Sequence, residues 1–148
     1  MKSPEALNDL IEINNDRVTG YEKAAAQADD SDLKSIFNSN ASESRKFAEE
    51  LRHLVEREGS NPAEGTTFRG KIYRTWMDVK ATFGGDSRHG VLASCEFGED
   101  AAQRAYNTAL DDKDLNAEER ALLEKQKQVL RSAHDRIKLM RDSEPTNK

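Results

Sequence analysis

Apolar side chains recur at every third or fourth position in five stretches of this 148-residue chain, and short polar breaks separate the stretches. That spacing places the apolar side chains of each stretch on one face of an α-helix. The first stretch contains Leu7, Leu10, Ile11, Val18, Tyr21 and Ala25. The pattern therefore predicts an all-α protein, with far more helix than an average domain and no strands.

The polar breaks indicate where the first helices begin and end. Asp29, Asp30 and Ser31 end the first helix and cap the second, which should end before Gly59. Because the connection is so short, the first two helices must form an antiparallel hairpin. The sequence from Asn116 to Glu119 fits a capping box that opens the last helix.

The segment between Gly59 and Asp86 is long and contains a shorter helix of its own around Trp76. The second helix, of about 25 residues, spans about 38 Å at a rise of about 1.5 Å per residue. The segment can run back along that length, so the fourth helix, capped by Asp86, starts at the same end as the second. Two helical hairpins joined by a crossover are the connectivity of ferritin-like bundles. We therefore predict a ferritin-like four-helix bundle with a helical crossover, as a single domain over 1–142 with a flexible tail over 143–148.

Charge and composition exclude several classes of partner. Acidic and basic residues are interleaved, the net charge is −5, and no block of Lys or Arg marks a nucleic-acid surface. No apolar run approaches the ~20 residues of a membrane span, and the N-terminus has no apolar signal core. The single cysteine, Cys95, allows no intramolecular disulfide and is expected to pack in the core. These features predict a cytoplasmic protein that binds neither nucleic acid nor membranes.

Polar side chains also fall on the apolar faces, which is where helix bundles build functional sites. Glu96 and Glu99 lie on the fourth helix, and Arg131 and His134 lie on the last. These helices are antiparallel about a short loop, and counting outward from it puts the two pairs at the same height. We therefore expect a carboxylate of the first pair to accept hydrogen bonds from the second pair. The predicted cluster of buried polar side chains comprises Asn14, Asn40, Glu99, Arg131 and His134, with Tyr106 as a further partner.

Two interpretations of this cluster stay open. In the first it is a buried ion-pair network that serves structure, because an arginine neutralises carboxylates as a metal would. In the second, Glu96, Glu99 and His134 form a metal or small-molecule site. A separate Glu50-x-x-His53 motif has the spacing of two ligands on one helix face. That motif falls near the end of the bundle, where solvated side chains are expected.

The crossover helix carries an apolar stripe formed by Ile72, Trp76 and Val79. We expect this stripe to pack on the bundle. The alternative is a contact around Trp76 with a second copy of the chain, as a homodimer, or with another protein partner.

Several segments resemble a known family, namely Leu10–Asn15, Gly20–Ala25, Trp76–Lys80, Cys95–Ala101, Tyr106 and Ala133–Asp142. Together they resemble a bacterial family of four-helix-bundle proteins of unknown function, which is placed in the ferritin-like superfamily near rubrerythrin. The resemblance covers roughly Pro4 to Asp142 and implies the fold. The superfamily also implies, by analogy alone, an association with stress responses.

Rubrerythrin-like di-iron proteins carry a Glu on the first helix, Glu-x-x-His on the second, one or two Glu on the third and Glu-x-x-His on the fourth. Glu96 and Glu99 look like the third-helix pair, and His134 looks like the fourth-helix histidine. The remaining ligand positions carry Ile11 or Asn14, Ser44, Phe47 and Arg131. The resemblance therefore implies an incomplete di-iron centre, a non-catalytic protein and no cofactor. The alternative is iron or another divalent metal at Glu96, Glu99 and His134.

Overall fold

Five α-helices make up 84% of the residues that the computed structural model describes, which are 3–65, 67, 71–82, 85 and 87–143. The helices are α1 (Ser3–Gln27), α2 (Ser31–Arg57), α3 (Lys71–Thr82), α4 (Arg88–Leu110) and α5 (Ala117–Asp142). No strand occurs among the described residues, so the all-α prediction is confirmed. Among the described helices, none has the length and apolar character needed to cross a bilayer.

Contacts between helices give the connectivity of the bundle. The short connection between α1 and α2 makes them the antiparallel hairpin that was predicted. Asn14 of α1 contacts Tyr106 of α4, and Tyr21 of α1 contacts Glu99 of α4, so α1 and α4 are also antiparallel. It follows that α2 and α4 run parallel, with α3 as the crossover between them. This is the predicted connectivity of a ferritin-like bundle.

The helix boundaries follow local signals in the sequence. The capping box of α5 is confirmed, because Asn116 Oδ1 accepts a hydrogen bond from Glu119 N at 2.8 Å and Glu119 Oε1 accepts one from Asn116 N at 3.0 Å. At the start of α4, Ser87 is the N-cap and its hydroxyl accepts a hydrogen bond from Gly90 N at 3.0 Å. The predicted cap Asp86 and residues 144–148 of the predicted tail lie outside the described residues.

A polar layer divides the apolar core of the bundle into two clusters. One cluster is built around leucines, among them Leu7, Leu10, Leu51, Leu123 and Leu130. The other is richer in aromatic side chains and contains Tyr21, Phe37, Trp76, Leu92, Cys95 and Ile137. Between them lie the buried polar side chains of α1, α2 and α4. Such a layer costs desolvation free energy unless its polar groups bond one another.

The side chain of Trp76 packs the crossover helix α3 against the bundle. Its side chain is 0% exposed and meets the ring of Tyr21 edge-on, with ring centroids 5.3 Å apart. A Cβ atom added to Gly20 would lie 2.7 Å from the indole ring, and one added to Gly98 would lie 2.0 Å from it. The two glycines therefore form a slot between α1 and α4 that the indole fills. The predicted packing of the stripe on the bundle is confirmed for Trp76 and Ile72, whereas Val79 is half-buried and belongs to neither core cluster. Because Trp76 is fully buried, its side chain is not available to a partner.

Gly98→Ala should destabilise the protein because its new methyl group would overlap the Trp76 ring. We expect a loss of about 1–3 kcal/mol in the free energy of unfolding, the usual cost of overpacking a core. Urea unfolding followed by circular dichroism measures it. Gly65→Ala is the matched control, since its added Cβ would meet no atom within 4 Å. Equal unfolding midpoints for the two variants would show that the indole does not occupy the slot.

Candidate functional site

A fully buried arginine, Arg17, lies at the centre of the polar layer. Its Nε donates to both oxygens of Glu99 at 3.1 Å, and its Nη2 donates to Glu99 Oε2 at 2.7 Å. Its Nη1 donates to Ser44 Oγ at 2.7 Å and to the main-chain carbonyl of Asn40 at 3.1 Å. Nη2 also lies 3.3 Å from Glu43 Oε1. All three nitrogens of the guanidinium thus donate hydrogen bonds to protein oxygens.

Hydrogen bonds extend this arrangement across all four long helices. Ser44 Oγ donates to Asn14 Oδ1 at 2.9 Å, and Asn14 Nδ2 donates to Tyr106 Oη at 2.9 Å. Tyr106 Oη donates to Gln126 Oε1 at 2.6 Å, and Gln126 Nε2 donates to Glu50 Oε1 at 3.0 Å. We call this set the arginine network, comprising Asn14, Arg17, Tyr21, Ser44, Glu99, Tyr106 and Gln126. Its members are each at most 1% exposed.

The charges inside the network stabilise one another. Burial lowers the pKa of Arg17, but the charge of Glu99, the contact with Tyr21, the hydrogen bonds to Glu99 and the charge of Glu43 together raise that pKa above its ordinary value, so the guanidinium stays charged. Burial, with a further contribution from the charge of Glu99, raises the pKa of Tyr21 well above its ordinary value. Tyr21 therefore stays a phenol and donates its proton to Glu99 in a hydrogen bond. Burial also raises the pKa of Cys95, which keeps this core thiol protonated and unreactive.

The network opens to solvent at a groove between α2 and α5. The groove has a volume of about 350 Å³, and its lining includes Glu43, Phe47, Glu50, Lys125 and Gln126. Glu50 connects the groove to the arginine network, because it accepts a hydrogen bond from Gln126. Burial raises the pKa of Glu43, although the charge of Arg17 lowers it in part.

A second group of polar residues, the α4–α5 cluster, consists of Glu96, Asp100 and His134. One possible ligand atom from each side chain lies within 4.8 Å of the other two. His134 Nε2 lies 2.6 Å from Asp100 Oδ1, and its Nδ1 lies 3.1 Å from Asp135 Oδ1. Burial would lower the pKa of His134, but the hydrogen bond to Asp135 and the charge of Asp100 raise it above its ordinary value. Arg141 forms an ion pair with Glu96.

The structure separates residues that the sequence analysis had grouped. Asn14, Asn40 and Glu99 are buried in the polar layer as predicted, but His134 belongs to the α4–α5 cluster. Glu99 accepts its hydrogen bonds from Arg17 and Tyr21, and neither Glu96 nor Glu99 is bonded to Arg131 or His134. Because a helix turns about 100° per residue, Glu99 points inward while the adjacent Asp100 points towards α5. The three residues that come together are therefore Glu96, Asp100 and His134, and Glu99 is not one of them.

The predicted role of Arg131 is wrong. Its side chain is 61% exposed and pairs with Asp135 on the same helix at 3.3 Å. The buried face of α5 runs through Leu123, Gln126, Leu130 and Ile137. Arg131 follows Leu130 directly and so points about 100° away from that face. Counting outward from the loop gave the height of Arg131 along the bundle correctly but not its direction.

His53 of the Glu50-x-x-His53 motif lies where a solvated side chain was expected. It is 67% exposed and lies 3.5 Å from Glu49 on its own helix. Glu50 faces the groove instead and accepts a hydrogen bond from Gln126. The two residues of the motif therefore do not share a site.

Arg17 is the central residue that sequence reasoning missed. It lies three positions after Asn14 and four before Tyr21, so helical spacing puts it on the same buried face. The predicted stripe passed through Val18, which is only half-buried, and so overlooked its neighbour. The pair could have been identified from a cation, Arg17, on the apolar face of one helix and a carboxylate, Glu99, on the apolar face of another.

The residues of the polar layer do not fit a di-metal centre. Such a centre in ferritin-like proteins takes four carboxylates and two histidines from the four helices. Here the Arg17 guanidinium lies at the centre of the layer. The carboxylates near it are Glu99 and Glu43, and the other polar side chains around this pair are Asn14, Ser44 and Tyr21. A permanent cation already neutralises the buried carboxylate, and the imidazole of His134 contacts Asp100 instead. The donor set therefore suits a guanidinium and not two metal ions.

Comparisons with known proteins agree with this fold. No curated protein has a sequence that matches the chain. A solved structure of a Mycobacterium smegmatis Dps1 mutant, F47E, is similar with a TM-score of 0.79 and 15% sequence identity, over 94% of each chain. At that identity the likeness concerns the fold alone. Residues 3–112 match the family described as a domain of unknown function, DUF2383, and the chain therefore belongs to that family.

Proposed function

We propose that this protein is a non-catalytic ferritin-like bundle in which the arginine network takes the place of a di-metal centre. The observation that supports the proposal is the environment of Arg17, which is 1% exposed. All three of its guanidinium nitrogens donate hydrogen bonds, to Glu99, Ser44 and the Asn40 carbonyl, and Glu43 Oε1 lies 3.3 Å away. A metal centre holds the helices of such a bundle together through shared ligands. Arg17 does the same through hydrogen bonds to α2 and α4, and it needs no cofactor.

The alternative is an oxidative enzyme whose metal site has fewer ligands than a di-iron centre, namely Glu96, Glu99 and His134. That site would require Glu99 as a ligand beside His134. Glu99 is held by Arg17 and Tyr21 inside the bundle, away from His134. We therefore propose a role exerted through interactions with other molecules. An association with stress responses stays a prediction that rests on the resemblance to the superfamily.

Iron(II) is the probe that tests this proposal. The experiment uses the His134→Gln variant, so that the α4–α5 cluster cannot contribute a histidine ligand. We expect no iron to remain with the protein after anaerobic gel filtration, and iron(II) oxidation by oxygen or peroxide at the rate of buffer alone. Retention of two ions per chain, or accelerated oxidation that Glu99→Gln abolishes, would contradict the proposal.

A further inference from the structure

We propose that the α4–α5 cluster binds one divalent transition-metal ion, for which Zn²⁺ is the probe, through Glu96, Asp100 and His134. One nitrogen and two carboxylate oxygens are a ligand set that Zn²⁺ accepts, with a water in the fourth position. The site lies between α4 and α5 and does not include Glu99. It is therefore independent of the arginine network and of the proposed function.

The geometry of the cluster is close to what a zinc ion requires. Zinc–ligand distances of about 2.0–2.2 Å place the ligand atoms of a tetrahedral site roughly 3.3–3.6 Å apart. The three possible ligand atoms here lie within 4.8 Å of one another. Glu96 and Asp100 are four residues apart on α4 and so lie on neighbouring turns of one face. We expect rotation of these side chains to bring the three atoms to bonding distance.

Asp135 supplies the outer contact that a metal-binding histidine normally has. Its Oδ1 lies 3.1 Å from His134 Nδ1, on the side of the ring away from Asp100. A carboxylate at that position holds the proton on Nδ1, so Nε2 can bind the metal once the ion displaces the proton that Nε2 shares with Asp100. The ring is thereby oriented with Nε2 towards Asp100 before any ion arrives.

Arg141 is the group that the ion must displace. Its guanidinium pairs with Glu96 and with Asp142, so a positive charge already sits at the edge of the cluster. A divalent ion neutralises the two carboxylates more completely than one guanidinium does. Arg141 is 29% exposed and retains Asp142 as a partner when it releases Glu96.

Isothermal titration of the tag-free chain with Zn²⁺, in a buffer that does not chelate metals, tests the inference. We expect saturable binding of one ion per chain. His134→Gln and Asp100→Asn should each weaken binding by at least about 10-fold, and Asp135→Asn should weaken it by about 10-fold through the loss of ring orientation. Arg141→Gln should tighten binding, because the competing cation is gone. A merely adventitious surface site would show no such gain.

His53→Gln is the matched control, because His53 also has carboxylates nearby, Glu49 at 3.5 Å and Glu56 at 3.9 Å. We expect it to bind Zn²⁺ like the parent. Circular dichroism checks that each variant is folded. Because Asp100 is only partly buried and His53 is exposed, substitutions at these two positions are not expected to unfold the protein. Absence of binding to the parent, loss of binding in His53→Gln with retention in His134→Gln, or weaker binding in Arg141→Gln would each overturn the inference.

Discussion

Arg17→Met is expected to destabilise the protein by about 3–5 kcal/mol, because it leaves the carboxylate of Glu99 buried without its cation. Glu99 is 0% exposed, so water cannot replace the lost hydrogen bonds. Ser44 and the carbonyl of Asn40 lose a donor at the same time. Urea unfolding followed by circular dichroism, extrapolated to water, measures the loss.

Arg131→Met is the matched control for this prediction. Arg131 has the same side chain, but it is 61% exposed, and among the described residues its ion pair is with Asp135 on its own helix. Exposed pairs of this kind contribute little to stability, so the unfolding midpoint should stay at the parent value. If Arg17→Met unfolded at the same urea concentration as Arg131→Met, the guanidinium of Arg17 would not be part of the core.

Trp76→Ala should cost a similar amount, about 3–5 kcal/mol, because it removes a fully buried ring and leaves a cavity between Gly20 and Gly98. The lost contacts join α3 to α1 and α4, so we also expect the crossover to become sensitive to proteases before the rest of the bundle. Limited proteolysis at native conditions and urea unfolding give the two readouts.

Leu139→Ala is the control for the tryptophan variant, since it shortens an apolar side chain that is 69% exposed. Its unfolding should match that of the parent. A contact of Trp76 with a second copy of the chain, which its burial argues against, would give a different result. In that case Trp76→Ala would change the elution volume at high protein concentration and leave the stability of the monomer intact.

Much of the fold could be predicted from the sequence because helical periodicity and capping are local. The box formed by Asn116 and Glu119, and the end of α2 before Gly59, depend only on residues within a turn or two. The crossover followed from chain length, since the segment containing Trp76 must run back along α2. These features do not depend on which side chain meets which across the bundle.

The partners inside the polar layer could not be predicted in the same way. Height along two antiparallel helices follows from counting, but the direction of a side chain changes by about 100° per residue. On α5, an error of one position assigned the buried position to Arg131 instead of Leu130. On α1, an error of one position assigned it to Val18 instead of Arg17. Asn14 and Glu99 were found because each lies at helical spacing from apolar residues, Asn14 between Leu10 and Val18 and Glu99 between Cys95 and Ala102. Asp100 was missed because its neighbour Glu99 already satisfied the expected spacing.

The central claim is that Arg17 and Glu99 form one buried ion pair at the place where other ferritin-like bundles bind metal. The coupling free energy between the two residues tests this claim most directly. The measurement compares the free energies of unfolding of the parent, Arg17→Met, Glu99→Leu and the double variant. We predict that the loss of unfolding free energy in the double variant is smaller than the sum of the two single losses by about 2–3 kcal/mol, because neither partner is then left buried and unpaired. Losses that add to within about 0.5 kcal/mol would contradict the account, because independent residues behave in that way.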